Sequence, residues 1–165
     1  MKVKYLVFVL TMGLTCVSGQ VYSHGNVLPQ GADSSAMPDF ELGDESDDYW
    51  VFENPYRSYE GDVKDKIVMF GESAYGNNCA GCHGLQAISG GINPDLRLLS
   101  PERSDDDAWY VELLRNGTSK GMPALGGIPE GSSEPILDQK TLWAIKSYLE
   151  VRREVAIADG SIDAW

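Results

Sequence analysis

The chain has 165 residues and a formal charge of −12, with 42% hydrophobic and 23% charged residues. That length suits one compact domain plus extensions, and the composition excludes a fibrous, collagenous or wholly disordered chain. So strong a negative charge argues against nucleic acid or an anionic membrane surface as partner, and favours a partner with a basic docking patch.

The first segment reads as an export signal. Lys2 and Lys4 precede an apolar run from Tyr5 to Leu14, and small residues follow from Ser18-Gly19 to Val21-Tyr22-Ser23. A basic start, a short apolar stretch and small residues at the cut describe a secretory signal peptide over residues 1–23. The run is too short for a membrane span, and no later segment approaches the length needed. The cut is expected after Ser23, with Gly19 as the fallback. Acylation at Cys16 is disfavoured by Thr15 before it. Losing residues 1–23 takes the charge from −12 to −14 and leaves Cys79 and Cys82 as the cysteines. The expected location is periplasmic.

Residues 24–61 form an acidic, largely irregular extension. They are rich in Gly, Pro, Ser and Asp and include the acidic cluster from Asp39 to Asp48. Tyr49-Trp50-Val51-Phe52 and Asn54-Pro55-Tyr56 supply aromatics that a solvated tail would not need, so this part is expected to wrap against the main domain.

The remaining residues, 62–165, are expected to form the domain proper with a short C-terminal tail. A first helix is predicted over residues 63–77, where Ile67, Phe70 and Ala74 recur at the helical period and Asp62 would cap. Gly71 falls mid-helix, which suggests that another backbone comes close there. Ser104 is expected to cap a second helix, with Asp105, Asp106 and Asp107 favouring its positive end. Trp109, Leu113 and Leu114 would face the core, and Asn116-Gly117 would end the helix. A Gly/Pro loop follows to about residue 135. The last helix is predicted from Asp138, with Leu142, Ile145, Tyr148, Leu149 and Val151 as its apolar side and Arg152 and Arg153 suited to its negative end. No strand pattern of useful length occurs, so the fold class is all-α.

Cys79-Ala-Gly-Cys82-His83 carries the chemistry. C-x-x-C-H is the attachment pattern of c-type haem. Two thiols three residues apart can form thioethers to the two vinyl groups on one porphyrin edge, and the adjacent imidazole can turn under the iron. A dithiol redox centre would call for a βαβ setting, which is absent. A zinc site needs four ligands, and beyond Cys79, Cys82 and His83 only distant His24 is available. A Cys79–Cys82 disulfide would leave His83 unexplained. For the sixth iron position, Met122 in Lys120-Gly-Met122-Pro-Ala-Leu-Gly-Gly127 is the candidate. A thioether is a soft ligand that raises the reduction potential, and Pro123 stiffens the chain beside it. Met37 lies in the loose segment and Met69 on the first helix, so neither is as well placed.

Gly71, Tyr75, the C-x-x-C-H motif, the Met-Pro loop and Trp143-Ala-Ile145-Lys-Ser-Tyr148-Leu149 resemble class I cytochromes c in order and spacing. The resemblance implies one covalent haem c, and first and last helices crossing at a glycine, with Gly71 and Tyr75 against Ile145 and Tyr148. It implies that the Pro94 carbonyl holds the His83 imidazole through its other nitrogen. Core packing is the reading kept for Trp109 and Trp143.

A narrower resemblance rests on His24-Gly-Asn-Val, Glu53-Asn-Pro-Tyr-Arg57, Asn78 to Leu85, Ile88 to Arg97 and Trp143 to Glu150. These segments are similar to the periplasmic cytochromes that accept electrons from quinoprotein alcohol dehydrogenases using pyrroloquinoline quinone (PQQ). That implies a PQQ-dependent ethanol or methanol dehydrogenase as donor, and another cytochrome or a terminal oxidase as acceptor. The stretch between residue 97 and the Met loop is shorter here than that resemblance implies, and it carries no cysteine. Two other functions remain open: a haem enzyme or gas sensor with an open sixth site, and an obligate subunit of a dehydrogenase complex.

Overall fold

The computed structural model describes residues 29–163. The predicted export signal and His24 lie outside the described residues. Five α-helices follow one another: α1 (Gly61–Asn78), α2 (Ala80–His83), α3 (Pro101–Ser104), α4 (Asp107–Asn116) and α5 (Gln139–Ala158). Single 3-10 turns at Glu45–Asp47, Leu85–Ala87 and Leu96–Leu98 punctuate the connections. No strand occurs among the described residues, and none of their helices is long and apolar enough to cross a membrane.

The core forms where α1 crosses α5. Residues Thr141 to Tyr148 are all buried, so α5 is enclosed on every side at its first half rather than along one stripe. Gly71 sits at the crossing. A Cβ placed there would lie 2.0 Å from the Ala144 carbonyl oxygen, so only glycine lets the two backbones approach. One turn on, the Tyr75 and Tyr148 rings pack at 5.3 Å. This is the class I cytochrome c arrangement, and Gly71 has the reason its mid-helix position demanded.

Three helix details differ from the expectations. Helix α1 starts at Gly61 after Glu60, which offers no side-chain cap, and Asp62 lies inside the first turn. Ser104 does not cap the second long helix; it ends α3, and the cap of α4 is Asp106, whose carboxylate accepts from Trp109 N at 2.8 Å. Pro101 starts a helical turn of its own and so shifts the next start by two residues. The buried face of α4 is consequently Asp107, Tyr110, Val111 and Leu114, with Trp109 and Leu113 only half-buried. By contrast, Gly117 (φ 65°) ends α4 and Asp138 caps α5 through Thr141 N at 2.8 Å.

The extension lies on this helical body along its described length. Tyr56 is buried, meets Phe40 edge-on at 5.6 Å and donates its hydroxyl to the Pro38 carbonyl. Asn54 N donates to Asp107 at 2.7 Å, and Asn54 Nδ2 donates to Ser147 Oγ at 3.1 Å. Arg57 spans Asp107 (2.9 Å) and Glu150 (2.7 Å). Asp107 and Lys146 are both 6% exposed and 3.7 Å apart, and Lys146 also donates to the Ser104 carbonyl. A buried carboxylate is tolerable only with such partners, because desolvation of the lone charge would cost several kcal/mol.

Candidate functional site

Helix α1 runs almost directly into the thiol motif. Cys79 N donates to the Tyr75 carbonyl at 2.8 Å, which closes α1. Cys82 N and His83 N both donate to the Cys79 carbonyl, at 3.1 and 2.9 Å, so the motif is itself one helical turn. The side chains of Cys79, Cys82 and His83 are thus brought onto one helical turn, with no residue of the motif at positive φ. Cys79 is half-buried and Cys82 exposed, and no disulfide joins them. Burial, followed by the neighbouring Cys82 thiol, would push the pKa of an unattached Cys79 thiol up to about 12.

The imidazole is oriented from behind. His83 Nδ1 lies 3.0 Å from the Pro94 carbonyl oxygen. A carbonyl can only accept, so Nδ1 carries the proton and the Nε2 lone pair is left available to a metal. Asn93 Nδ2 donates to the Cys82 carbonyl at 3.0 Å and Tyr75 donates its hydroxyl to the Gly84 carbonyl at 2.8 Å. Residues 83–94 thus form a short closed loop whose ends are hydrogen-bonded to each other.

Met122 comes from a separate segment, the loop between α4 and α5. Its loop leaves α4 at Gly117 and re-enters the core through Leu125, which is buried. Thr118 N donates to the Met122 carbonyl at 2.9 Å and Met122 N donates to Thr118 Oγ1 at 3.2 Å, so one threonine closes the turn in both directions. A Cβ on Gly117 would lie 2.4 Å from the Met122 carbonyl oxygen. The glycine is therefore needed by the fold of this loop as well as by the end of α4. The Met122 side chain is half-buried against the same hydrophobic core that Cys79, Ala80 and Leu96 touch.

The donor set fits a c-type haem: two cysteines on one helical turn, an imidazole whose Nδ1 is bonded to the Pro94 carbonyl so that Nε2 is left for iron, and a thioether on a separate loop. Among the described residues no group of three or more His, Cys, Asp or Glu could hold a bare metal ion. Cys79, Cys82, His83 and Pro94 are brought together by direct bonds along 16 residues of chain. Met122 is brought to the same core from another segment. Thr118, Asn93 and the Tyr75 hydroxyl were not singled out as site-building groups from the sequence. A threonine four residues before the methionine was the available signal for Thr118.

Comparison with known proteins gives three findings. Residues 68–149 match the family model described as cytochrome C oxidase, cbb3-type, subunit III. The chain is 40% identical over 134 residues to a cytochrome c550 of Pseudomonas aeruginosa, covering 81% of this chain and 84% of that protein. It is also 52% identical over 88 residues to the quinohemoprotein alcohol dehydrogenase ADH-IIG of Pseudomonas putida, covering 53% of this chain but 11% of that enzyme. No solved structure gives a match.

Proposed function

The chain belongs to the cytochrome c family as a monohaem electron carrier, and from that premise we propose that it accepts single electrons from a PQQ-dependent alcohol dehydrogenase and passes them toward a respiratory oxidase. When bound, haem c supplies an iron that gains and loses one electron. Cys79 and Cys82 would tether the haem through thioethers. His83 would ligate the iron through Nε2, and the Pro94 carbonyl keeps the imidazole in the tautomer that allows it. Met122 would supply a thioether ligand, which would disfavour substrate at the iron and so favours a carrier over an enzyme. Transfer then needs only transient docking, and the strong negative charge draws in a donor with a basic face.

The observation that carries this reading is the imidazole tied through Nδ1 to Pro94 beside two cysteines on one helical turn. An alcohol dehydrogenase as donor is supported by the likeness to a stretch of a quinohemoprotein alcohol dehydrogenase, and the narrowing to ethanol or methanol rests on the sequence resemblance alone. In the same reading residues 1–23 are removed on export to the periplasm, residues 24–61 are the acidic extension and residues 62–165 the cytochrome domain. Stopped-flow mixing of the ferric protein with a PQQ-dependent dehydrogenase and its alcohol tests the partner. Rapid reduction that slows as salt rises is expected; no reduction at any salt rejects the partner.

Because a segment similar to this chain occurs within a dehydrogenase, the second reading is an obligate subunit. Gel filtration with the purified dehydrogenase separates the two readings. A complex that survives moderate salt indicates the subunit, and dissociation indicates the shuttle.

A further inference from the structure

The loop that carries Met122 spans residues 117–138, long for a connection without secondary structure of its own. Local bonds hold its first part. Its second part closes on the preceding helix and on itself: Gly126 N donates to the Leu114 carbonyl at 2.9 Å, and Leu137 N donates to the Leu125 carbonyl at 2.9 Å. Over Gly126 lies the indole of Trp50, from the extension. A Cβ on Gly126 would be 2.8 Å from Trp50 Cη2, 3.2 Å from Trp50 Cζ2 and 3.0 Å from Leu142 Cδ1. The Arg115 guanidinium sits over the same indole at 5.5 Å from its centre and also pairs with Asp48 at 2.6 Å.

Trp50 is itself fixed from both sides. The Gln139 side chain accepts from Val51 N at 3.0 Å and donates to the Tyr49 carbonyl at 2.9 Å, bracketing Trp50 with one amide. Gly43 passes so close to the Trp50 carbonyl that a Cβ there would lie 1.9 Å from its oxygen. The end of α4, the start of α5 and the methionine loop therefore all converge on one side chain of the extension.

We propose that Trp50 is the positioning residue for the sixth iron ligand: its indole, locked between Gly126, Leu142 and the Arg115 guanidinium, holds the loop that presents Met122. The extension is thereby part of the ligand machinery, beyond its charge. This rests on the reading of Met122 as the ligand. Without the indole, the loop loses its outer wall and a cation–π contact, and opens without disturbing His83.

The test uses the haem-loaded full-length protein and its Trp50→Ala, Trp50→Phe and Gly126→Ala variants. In Trp50→Ala the amides of residues 118–128 should exchange hydrogen about tenfold faster while those of residues 79–94 do not change. Carbon monoxide should bind the reduced form about tenfold faster, because the thioether is displaced from a loosened loop. Trp50→Phe should restore most of the wild-type behaviour. Gly126→Ala pushes on the indole from the loop side and should act in the same direction, which keeps the question answerable if Trp50→Ala folds poorly. Unchanged exchange and carbon monoxide binding in both Trp50→Ala and Gly126→Ala overturn the proposal alone. A wild-type ferric protein without the thioether charge-transfer band, or a Met122→Ala variant that keeps that band, overturns the Met122 reading and this proposal with it.

Discussion

Residues 79–97 are shaped mainly by bonds among themselves and to the helix just before them, whereas the helix ends that flank residues 117–138 are tied to segments far away in sequence. On the thiol side the bonds that shape the site join residues 9 to 11 positions apart: Tyr75 to Gly84, His83 to Pro94, Asn93 to Cys82. On the methionine side the helix ends that flank the loop are tied over much longer separations: 67 positions for Arg115 to Asp48 and 90 for Gln139 to Tyr49. Ser34 also reaches Asp138, the cap of α5, across 104 positions. Short closures cost little entropy and form early; long ones exist only once the whole chain has packed. On the proposed ligation, Met122 should therefore be released more easily than His83: His83 when the domain unfolds, and Met122 when the extension loosens.

Four perturbations bear on that contrast, in falling order of effect. Gly71→Ala forces a methyl into the Ala144 carbonyl at the helix crossing and should cost about 3 kcal/mol by denaturant unfolding. Because the crossing supports both sides, both sites should be lost together. Asp107→Ala removes the carboxylate shared by Asn54 N, Arg57 and Lys146. It leaves a buried ammonium without its nearest carboxylate, and should cost about 2 kcal/mol, since the Arg57 side chain is 51% exposed and already screened. Its loss should first free the extension, seen as faster proteolysis between residues 38 and 60 at unchanged haem content. Thr118→Ala deletes one of the two bonds that close the Met122 turn and should cost about 1 kcal/mol. The effect should fall on the thioether band and leave the His83 side unaltered.

The smallest effect is acidic. A hydrogen bond from Lys140, and its charge, hold the exposed Asp39 carboxyl below its ordinary value of 3.8. A carboxylate depressed in the folded state contributes stability above the unfolded value and loses it as pH falls through the folded one. The Asp39–Lys140 tie should thus be whole above about pH 4 and fail below it. Hydrogen exchange of residues 39–51 followed into the acid range should rise before that of residues 79–94.

The same contrast explains what was legible in the sequence. Cys79, Cys82 and His83 declare their chemistry through spacing alone, and Gly71 announced a close approach because nothing else explains a glycine there. Asp138 and Gly117 as helix ends followed from local capping chemistry. The start of α4 did not, because Ser104 and three successive aspartates offer several caps, and the turn begun by Pro101 decides among them. The burial of Asp107 was invisible, since Asn54 and Arg57 lie 53 and 50 positions away. Trp50 showed only that an aromatic needed cover; its place over Gly126 depends on a contact no local pattern encodes.

The central claim is that a haem is covalently held by Cys79 and Cys82 and ligated by His83 and Met122. An absorption spectrum of the mature protein, with a pyridine haemochrome assay and thiol titration on the same sample, tests it most directly. The account predicts one haem c per chain, no titratable thiol, and in the ferric state the charge-transfer band of a thioether ligand. A colourless protein with both thiols free would contradict it.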